Sequence, residues 1–245
     1  MKLVALIPTR WGSTRFPGKA LVPILGKPMI EHVYRRAQAI PGINEVLVAT
    51  DSAEIQRTVL DFGGRVIMTA ENHISGSDRL AEAAGLLGLA DEDIIINVQG
   101  DQPAFDPEQA ARVARPLQDD PDLEMSTLAL PLTSPEDINN PNHVKVVFNH
   151  EYEALYFSRA PIPWPRDGEE DYYKHIGIYA YRAGFLRKFV KLPEGRLERI
   201  ERLEQLRALE NGARIKVVLA AGLSPEVDVP ADVKAAEEAL RLADN

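Results

Sequence analysis

Up to residue 98, the chain alternates short, continuous apolar runs with longer segments in which apolar residues recur at helical spacing. Continuous apolar runs are typical of strands that a parallel sheet buries on both faces, and amphipathic segments are typical of the helices that cover it. The pattern predicts strands at residues 3–7, 45–50, 65–69 and 93–98 and helices at 29–40, 52–62 and 78–87. This alternation predicts an α/β fold with a mostly parallel sheet and helices on both faces.

Beyond residue 140 the pattern changes. Two apolar runs at residues 144–148 and 154–157 flank a polar turn, which indicates an antiparallel hairpin. Such a hairpin either forms a lid or subunit contact or simply extends the sheet, and the sequence leaves both open. The remaining predictions are strands at 176–181 and 215–220 and helices at 183–190, 197–209 and 231–242.

Composition and charge exclude several classes of protein. The 245 residues include no cysteine and carry a formal net charge of −9. So acidic a chain is not expected to bind nucleic acid, and the lack of cysteine excludes disulfides and thiolate metal sites and suits the cytoplasm. No apolar run is long enough to cross a bilayer, and no secretory signal is recognisable. An anionic substrate would be repelled at long range, so its site requires local cations or a bridging metal.

One loop supplies such cations. Residues 7–19 follow the first predicted strand and contain two glycines together with Arg10, Arg15 and Lys19. Glycines let backbone N–H groups approach an oxyanion, and a loop at the carboxyl end of a strand is where open α/β sheets bind nucleotides. The loop matches neither the P-loop NTPase motif nor the dinucleotide motif. It is either a polyphosphate site of another type or a basic surface loop.

Two aspartates are candidate metal ligands. Asp101 follows the apolar strand predicted at 93–98, and Asp228 precedes a helix that opens with Pro230. Magnesium prefers one or two carboxylates, with substrate phosphates and water completing its shell. The alternatives are structural, because Asp101 could cap the next segment and Asp228 could be the N-cap of its helix.

Further polar residues accompany predicted elements. Residues 75–79 open a helix whose free N–H groups suit a base or phosphate, although Ser77 or Asp78 could simply cap it. Arg159 can bind a planar carboxylate, and His175 could donate to a sugar hydroxyl or be structural. In the helix predicted at 197–209, the spacing places Glu204 on the apolar side, where it meets either a polyhydroxylated ligand or a buried arginine.

Taken together, these segments resemble the 3-deoxy-manno-octulosonate cytidylyltransferases, also called CMP-KDO synthetases. The resemblance runs from residue 7 to about 210, with a weaker match near the end. It is carried by the segments IPTRWGSTRFPGK, GKPMIEHV, VATD, SGSDRLAE, NVQGDQP, ALYFSRAPIPW, KHIGIYAYR, RIERLEQLRAL and VDVPADV. No single segment is specific, but their order and spacing are.

The resemblance implies a Rossmann-like nucleotidyltransferase fold with a mostly parallel mixed sheet and a small antiparallel extension. It implies one domain over residues 1–245, in which about 144–195 form a sugar-binding and dimerisation subregion. The implied protein is a cytoplasmic, Mg2+-dependent homodimer that transfers CMP from CTP to an acidic eight-carbon sugar for lipopolysaccharide synthesis.

The resemblance also implies roles for individual residues. The triphosphate and nucleotide are assigned to Arg10, Ser13, Lys19, Ser75, Arg79 and Gln99. The sugar acid is assigned to Gln99, Arg159, His175, Glu204 and Gln205. Magnesium is assigned to Asp101 and Asp228, and the residues closest to the chemistry are Arg10, Lys19 and Asp101.

The sequence leaves the sugar acceptor open. The stretch between Arg166 and Lys174 is shorter than in the KDO enzymes and closer to a branch that accepts the 8-amino analogue of the sugar. Sialic acid is a third acceptor, disfavoured by the YFSR and HIGIY segments. A nucleotide-binding regulator without catalysis is the alternative from another class, and the retained pair Asp101 and Asp228 argues against it.

Overall fold

The computed structural model describes residues 1–12, 16–167, 171–222 and 224–243. Seven strands form the main row of a sheet, in the spatial order β11 (Ile215–Leu219), β7 (Met125–Leu132), β10 (Tyr172–Arg182), β6 (Ile94–Asn97), β1 (Leu3–Thr9), β4 (Glu45–Thr50) and β5 (Val66–Met68). Strand β10 is antiparallel to both of its neighbours, and the other pairs in this row are parallel. The predicted α/β class with a mostly parallel mixed sheet is confirmed.

The antiparallel extension is a hairpin of β8 (Lys145–Phe148) and β9 (Ala154–Ser158). Strand β8 also pairs with β10 through Lys174 and Lys145, so the hairpin is continuous with the main sheet. Of the two roles considered for this segment, sheet extension is therefore the one seen in the chain itself. A separate ribbon is formed by β2 (Pro23–Ile24) and β3 (Lys27–Pro28).

Helices cover both faces of the sheet. They are α1 (Met29–Gln38), α2 (Ala53–Asp61), α3 (Gly76–Leu86), α4 (Pro107–Asp119), α5 (Pro135–Asn139), α6 (Ala183–Phe189), α7 (Arg196–Glu201), α8 (Gln205–Glu210) and α9 (Val233–Ala243), with 3-10 turns at Lys19–Leu21 and Pro230–Asp232. Two apolar clusters, one on each face, bury residues of successive strands in alternation. No helix in the described ranges has the length and apolar character needed to span a membrane.

Most predicted elements of the first half are confirmed, with shifts of a few residues at their ends. Ser52 caps α2 as the sequence suggests, its hydroxyl accepting from the Ile55 N–H. The cap of α3 differs from the prediction: Ser75, not Ser77 or Asp78, is the N-cap, and Asp78 completes a reciprocal capping box with it. Elements α4, β7 and α5 lie between residues 99 and 143, where the apolar pattern predicts no helix or strand.

The helix predicted at 197–209 is wrong. Two short helices, α7 and α8, replace it, and the chain turns between them at Arg202, whose φ of 55° is left-handed. The backbone of Leu203 returns a hydrogen bond to the Glu198 carbonyl, which closes α7. Because an arginine rarely adopts this conformation, helical periodicity alone did not reveal the break.

The parallel pairing of β1 with β6 positions the candidate site. Leu6 pairs with Asn97, so the loops that follow both strands leave the sheet at the same edge. Gly100 lies so close to β1 that a Cβ there would be 3.2 Å from the Pro8 carbonyl oxygen. The glycine therefore permits the loop carrying Asp101 to pack against the end of β1.

Candidate active site

The loop lysine and the two candidate metal ligands meet in one cluster. The Lys19 ammonium donates to Oδ2 of Asp101 at 2.7 Å and to Oδ1 of Asp228 at 3.2 Å. All three side chains are partly shielded, with exposed fractions of 17% for the lysine and 28% and 34% for the two aspartates. Residues separated by more than 200 positions are thus brought to one cation.

Backbone contacts explain how the cluster assembles. Lys19 begins a 3-10 turn directly after Gly18, whose φ of 68° is left-handed and where an added Cβ would lie 3.3 Å from the Trp11 ring. The Val227 N–H donates to the Asp101 carbonyl at 2.9 Å, which joins the carboxyl-terminal segment to the loop after β6. Asp228, the next residue, therefore reaches the same cation.

The capping alternatives for the two aspartates do not account for this arrangement. Asp106, not Asp101, caps α4, since its carboxylate accepts from the Glu108 N–H. Val229 occupies the N-cap position of the turn that precedes α9, and Asp228 instead contacts Lys19. Burial of the ammonium works to lower the pKa of Lys19, but the two carboxylates outweigh it and the pKa is raised.

The donor set suits a hard divalent cation. Asp101 and Asp228 each bring a carboxylate oxygen to within 3.2 Å of the Lys19 ammonium. No group of three or more His, Asp or Glu side chains suited to a metal is found in the described ranges. Two carboxylates are what magnesium commonly takes from a protein when phosphates and water supply its other ligands. Partial burial, followed by the charge of Asp101, raises the pKa of nearby Glu226.

A cavity of about 200 Å³ lies between the ends of β1 and β6 and the start of α3. Four of the residues assigned to the nucleotide line it, namely Arg10, Ser75, Arg79 and Gln99. The fifth and sixth are placed differently: Lys19 is in the aspartate cluster, and Ser13 lies outside the described residues, as does Arg15. The structure therefore brings most of the predicted nucleotide residues to one edge of the sheet.

Arg79 lines this cavity, and its positive charge is paired with a carboxylate. It is 4% exposed and donates to Asp51 Oδ2 and Thr69 Oγ1, each at 2.5 Å. Asp51 follows β4 within the VATD segment, and sequence reasoning gave it no role. The pair keeps the buried guanidinium neutralised and its orientation fixed.

Gln99 connects the cavity to β10. Its Nε2 donates to the Gly177 carbonyl at 2.7 Å, at the point where the pairing of β10 with β7 shifts register between Ile176 and Tyr179. A bulge at this point turns the strand and leaves a carbonyl available outside the ladder. Gln99 therefore links the nucleotide edge to the strand that carries His175.

His175 is packed among aromatic rings. Its ring lies 5.0 Å from the Phe157 ring in an edge-on contact and 5.3 Å from the Tyr179 ring, and Nε2 is 3.0 Å from Thr127 Oγ1. Burial, with a smaller effect of Lys174, lowers the pKa of His175 to about 3. The imidazole is therefore neutral near pH 7 and lines a second cavity of about 490 Å³.

Arg159 and Glu204 occupy the region where β9 meets the α7–α8 break. Arg159 Nε donates to the Glu201 carbonyl at 2.7 Å and Nη1 donates to the Pro141 carbonyl at 3.0 Å. Glu204 accepts a hydrogen bond of 2.7 Å from the Ser77 hydroxyl, and Arg207 is 3.7 Å away. The arginine alternative for Glu204 is thus partly met, and the sugar alternative stays a prediction. The Glu204 side chain lines a cavity of about 760 Å³.

Gln205 is a buried amide with unused hydrogen-bonding capacity. It is 5% exposed, and its Nε2 has no hydrogen-bond acceptor among the residues that the structure describes. A buried donor without an acceptor is unfavourable unless a ligand supplies one. The role of Gln205 toward a sugar stays a prediction.

Lys145 and Glu201 are polar residues at this region that sequence reasoning missed. Lys145 is 0% exposed, and Glu201 binds the hairpin end through Ser158 and Arg159. Lysine is seldom buried and Glu201 lies on an apparently amphipathic segment, so neither carries a signal in the sequence.

Comparison with known proteins agrees with this architecture. A family model described as cytidylyltransferase matches residues 4–215. The 3-deoxy-manno-octulosonate cytidylyltransferase of Syntrophus aciditrophicus is 54% identical over 95% of this chain and 94% of its own length. The 8-amino-3,8-dideoxy-manno-octulosonate cytidylyltransferase of Shewanella pealeana is 52% identical over 99% of this chain and all of its own length.

Solved structures give the same result. A CMP:2-keto-3-deoxy-manno-octonic acid synthetase complexed with CTP superposes with a TM-score of 0.94 at 44% identity, covering 99% of both chains. A 4-diphosphocytidyl-2C-methyl-D-erythritol synthase, at 15% identity and a TM-score of 0.66 over 98% of both chains, shares the fold. The chain therefore belongs to the cytidylyltransferase family, among the manno-octulosonate cytidylyltransferases that its sequence motifs resemble.

Proposed function

We propose that this protein transfers CMP from CTP to the anomeric hydroxyl of 3-deoxy-D-manno-octulosonate (KDO), giving CMP-KDO and pyrophosphate for lipopolysaccharide synthesis. The observation that carries the proposal is the meeting of Asp101 and Asp228 at Lys19. A cavity lined by Arg10 and Gln99 lies at the carboxyl ends of the parallel strands from which the loops carrying Lys19 and Asp101 emerge. Relatives named for KDO and for its 8-amino analogue are similarly identical to this chain, so the analogue is the second candidate acceptor.

The cationic loop binds the triphosphate in this proposal. Arg10 and Lys19 neutralise the phosphates, with Ser13 contributing nearby, and Ser75, Arg79 and Gln99 contact the nucleoside. The cavity that Arg10, Ser75, Arg79 and Gln99 share supports this division. A rigid, neutralised Arg79 offers shape and N–H groups without adding net charge, which suits an uncharged base.

Asp101 and Asp228 would hold Mg2+ once the triphosphate arrives. When bound, the metal would neutralise charge on the phosphate oxygens and orient them. Lys19 contacts both carboxylates, and an ammonium on a long, flexible stem can also reach phosphates. In this proposal the lysine therefore binds the triphosphate beside the two metal ligands.

The reaction is an in-line displacement at the α-phosphorus. The bond to the anomeric oxygen forms as the bond to the pyrophosphate oxygen breaks, and negative charge develops on the leaving group. Arg10 and Lys19 stabilise that charge, and the remaining residues contribute by positioning the two substrates. No side chain is assigned as general base, and the hydroxyl proton leaves to solvent or a neighbouring carboxylate.

The sugar acid would contact Gln99, Arg159, His175, Glu204 and Gln205. Arg159 supplies a positive fork for the substrate carboxylate, and neutral His175 supplies one hydrogen bond without adding charge. The buried amide of Gln205, which has no acceptor among the described residues, supports its role toward sugar hydroxyls. Gln99 belongs to both sets because it links the nucleotide cavity to β10.

We also propose that the enzyme is a cytoplasmic homodimer of single-domain chains, in which residues 144–195 contribute to the sugar site and the subunit contact. Exposed apolar side chains in this stretch, Leu155 at 62% and Trp164 at 84%, support a surface that a second copy covers. Sedimentation of the purified protein tests this, and a monomer at micromolar concentration would contradict it.

A single panel tests the main proposal. Protein, Mg2+ and CTP are mixed with KDO, 8-amino-KDO or a sialic acid, and pyrophosphate is followed. We expect release with KDO, and preferential release with the 8-amino sugar would assign the second candidate. Tight CTP binding without release for any sugar would instead support a nucleotide-binding regulator and contradict the proposal.

A further inference from the structure

Lys145 is a charged side chain on β8 that solvent does not reach, with an exposed fraction of 0%. Its ammonium donates to the carbonyl oxygens of Asn140 at 3.0 Å, His143 at 2.6 Å and Arg159 at 2.7 Å. An ammonium has three N–H donors, so each of them has a carbonyl acceptor. Burying a cation is unfavourable, and burial lowers the pKa of Lys145. The hydrogen bonds, rather than the packing, explain why a lysine occupies this position.

Glu201, the last residue of α7, contacts the same arginine from the other side. Its Oε2 accepts from the Arg159 backbone N–H at 2.9 Å, and its Oε1 accepts from the Ser158 hydroxyl at 2.6 Å. The Glu201 carbonyl in turn accepts from Arg159 Nε at 2.7 Å. One residue thus binds both the backbone and the side chain of Arg159.

Together these contacts restrain Arg159 to an unusual degree. Its N–H goes to Glu201, its carbonyl to Lys145, its Nε to Glu201 and one Nη1 proton to Pro141, which lies between two of the carbonyls that Lys145 binds. Nη2 also donates to the Arg202 carbonyl at 3.5 Å, so three of the five guanidinium protons have acceptors, and one proton on each Nη atom has no acceptor among the residues that the structure describes. An arginine restrained at its backbone and its inner nitrogen presents its outer edge in one orientation.

We infer, on the basis of the proposed function, that Lys145 and Glu201 are positioning residues that orient Arg159 for the carboxylate of the acidic sugar. Neither contacts the substrate, and each acts through the arginine. Planar recognition of a carboxylate depends on the direction of the guanidinium fork more than on its charge alone. If the restraint is lost and the Arg159 guanidinium moves by a few tenths of an ångström, we therefore expect weaker sugar binding and unchanged CTP binding.

The test is a double-mutant cycle on sugar use. Glu201→Gln keeps the shape of the side chain but places an amide N–H against one of the two donors that the carboxylate now accepts. We expect it to lower kcat/KM for the sugar at least tenfold and to change the KM for CTP less than twofold. In an Arg159→Ala background, the same substitution should lower sugar kcat/KM less than twofold further, because its target is gone.

Lys145→Met is the second variant in which kcat/KM for the sugar and KM for CTP are measured. Asp93→Asn is the control for loss of a buried carboxylate. Asp93 is a buried carboxylate that accepts two backbone N–H groups, from Lys2 and Ala90, at the opposite edge of the sheet. Its substitution should lower thermal stability without changing the KM for sugar. If Lys145→Met does not fold, the Glu201→Gln cycle decides.

Two results would overturn the inference while the proposed function stands. One is an active wild type in which Glu201→Gln leaves sugar kcat/KM unchanged. The other is an equal loss of sugar kcat/KM from Glu201→Gln in the presence and in the absence of the Arg159 side chain. That result would mean that the cluster only stabilises the fold. A wild type that releases no pyrophosphate with any acidic sugar would refute the proposed function, and the inference with it.

Discussion

Two clusters of charged side chains differ in the groups with which they form hydrogen bonds. In the first, Lys19 is paired with the side chains of Asp101 and Asp228, and all three are partly open to solvent. In the second, Lys145 and Arg159 are paired largely with backbone carbonyls, and Lys145 is fully buried. Side-chain partners can exchange when a ligand arrives, whereas backbone partners move only if the fold does. The first cluster is therefore suited to handling a metal and a triphosphate, and the second to holding an orientation.

Among the predictions, loss of a carboxylate from the exchangeable cluster, as we call Lys19, Asp101 and Asp228, should have the largest effect on turnover. We expect Asp101→Asn to fold normally and to lower turnover by about two orders of magnitude, the scale of one strong electrostatic contact in a transition state. Pyrophosphate release under saturating CTP and sugar measures it. Asp106→Asn is the control, because asparagine caps α4 as well as aspartate does. Near-normal release by the Asp101 variant would contradict the assignment.

The pH dependence of stability tests the burial of a third group, His175 on β10, which belongs to neither cluster. The folded state keeps His175 neutral down to its pKa of about 3, whereas the unfolded chain protonates it below about 6.5. Between these values the unfolded state binds more protons. The contribution of His175 to the free energy of unfolding is therefore greatest above pH 6.5 and decreases as the pH falls. We expect a loss of about 2 kcal/mol at pH 5 relative to pH 7.

Chemical denaturation at the two pH values measures this loss, with His175→Gln as the comparison. The variant has no imidazole to protonate and should lose correspondingly less stability between pH 7 and pH 5. An identical pH profile for both proteins would show that the histidine is not buried as described.

Removal of the cation from the exchangeable cluster should give a smaller, metal-dependent effect. Lys19→Met removes the ammonium that contacts both Asp101 and Asp228, and we expect the free energy of unfolding in EDTA to fall by about 1 kcal/mol, since the groups are partly exposed. Added Mg2+ should restore part of the loss in a thermal unfolding assay. Lys27→Met is the control. The Lys27 side chain is 58% exposed and its ammonium is as far as 3.8 Å from Glu31, so its removal should change stability little. A loss of stability that Mg2+ does not reduce would speak against an exchangeable cluster.

The left-handed residue between α7 and α8 gives the smallest expected change. Arg202→Gly removes the strain of a Cβ at φ 55° and should raise stability by about 0.5 kcal/mol, or one to two degrees in Tm. Gly212→Ala is the reverse control, because its φ is 79° and nothing lies within 4 Å of the position of a Cβ. Calorimetry should show opposite shifts. A fall in Tm for Arg202→Gly would mean that the arginine side chain, not its backbone, stabilises the break.

The comparison also explains what could be predicted from the sequence. The strand Glu45–Thr50 and the cap Ser52 have local signals, a continuous apolar run and a hydroxyl before a helix, and both are confirmed. Lys19, Asp101 and Asp228 could be selected because each stands at a recognisable place beside a strand, a glycine or a proline. That the three would share one hydrogen-bonded cluster depends on the pairing of β1 with β6, which local pattern does not encode.

The second cluster had no such signals. Burial of Lys145 and the acceptor role of Glu201 arise from the packing of the β8–β9 hairpin on α7, between residues more than 40 positions apart. The break at Arg202 was missed because arginine is a good helix former and the apolar spacing continues across it. Its conformation is set by tertiary contacts, not by the residue itself.

The most direct measurement of the central claim is the turnover of Asp101→Asn, Asp228→Asn and the double variant, each with saturating CTP, Mg2+ and acceptor. If the two carboxylates form one metal site, each single substitution should cost about a hundredfold and the double should cost little more than the worse single. Losses that multiply to about ten-thousandfold, or near-normal turnover of either single variant, would show that the two aspartates act independently and would contradict the account.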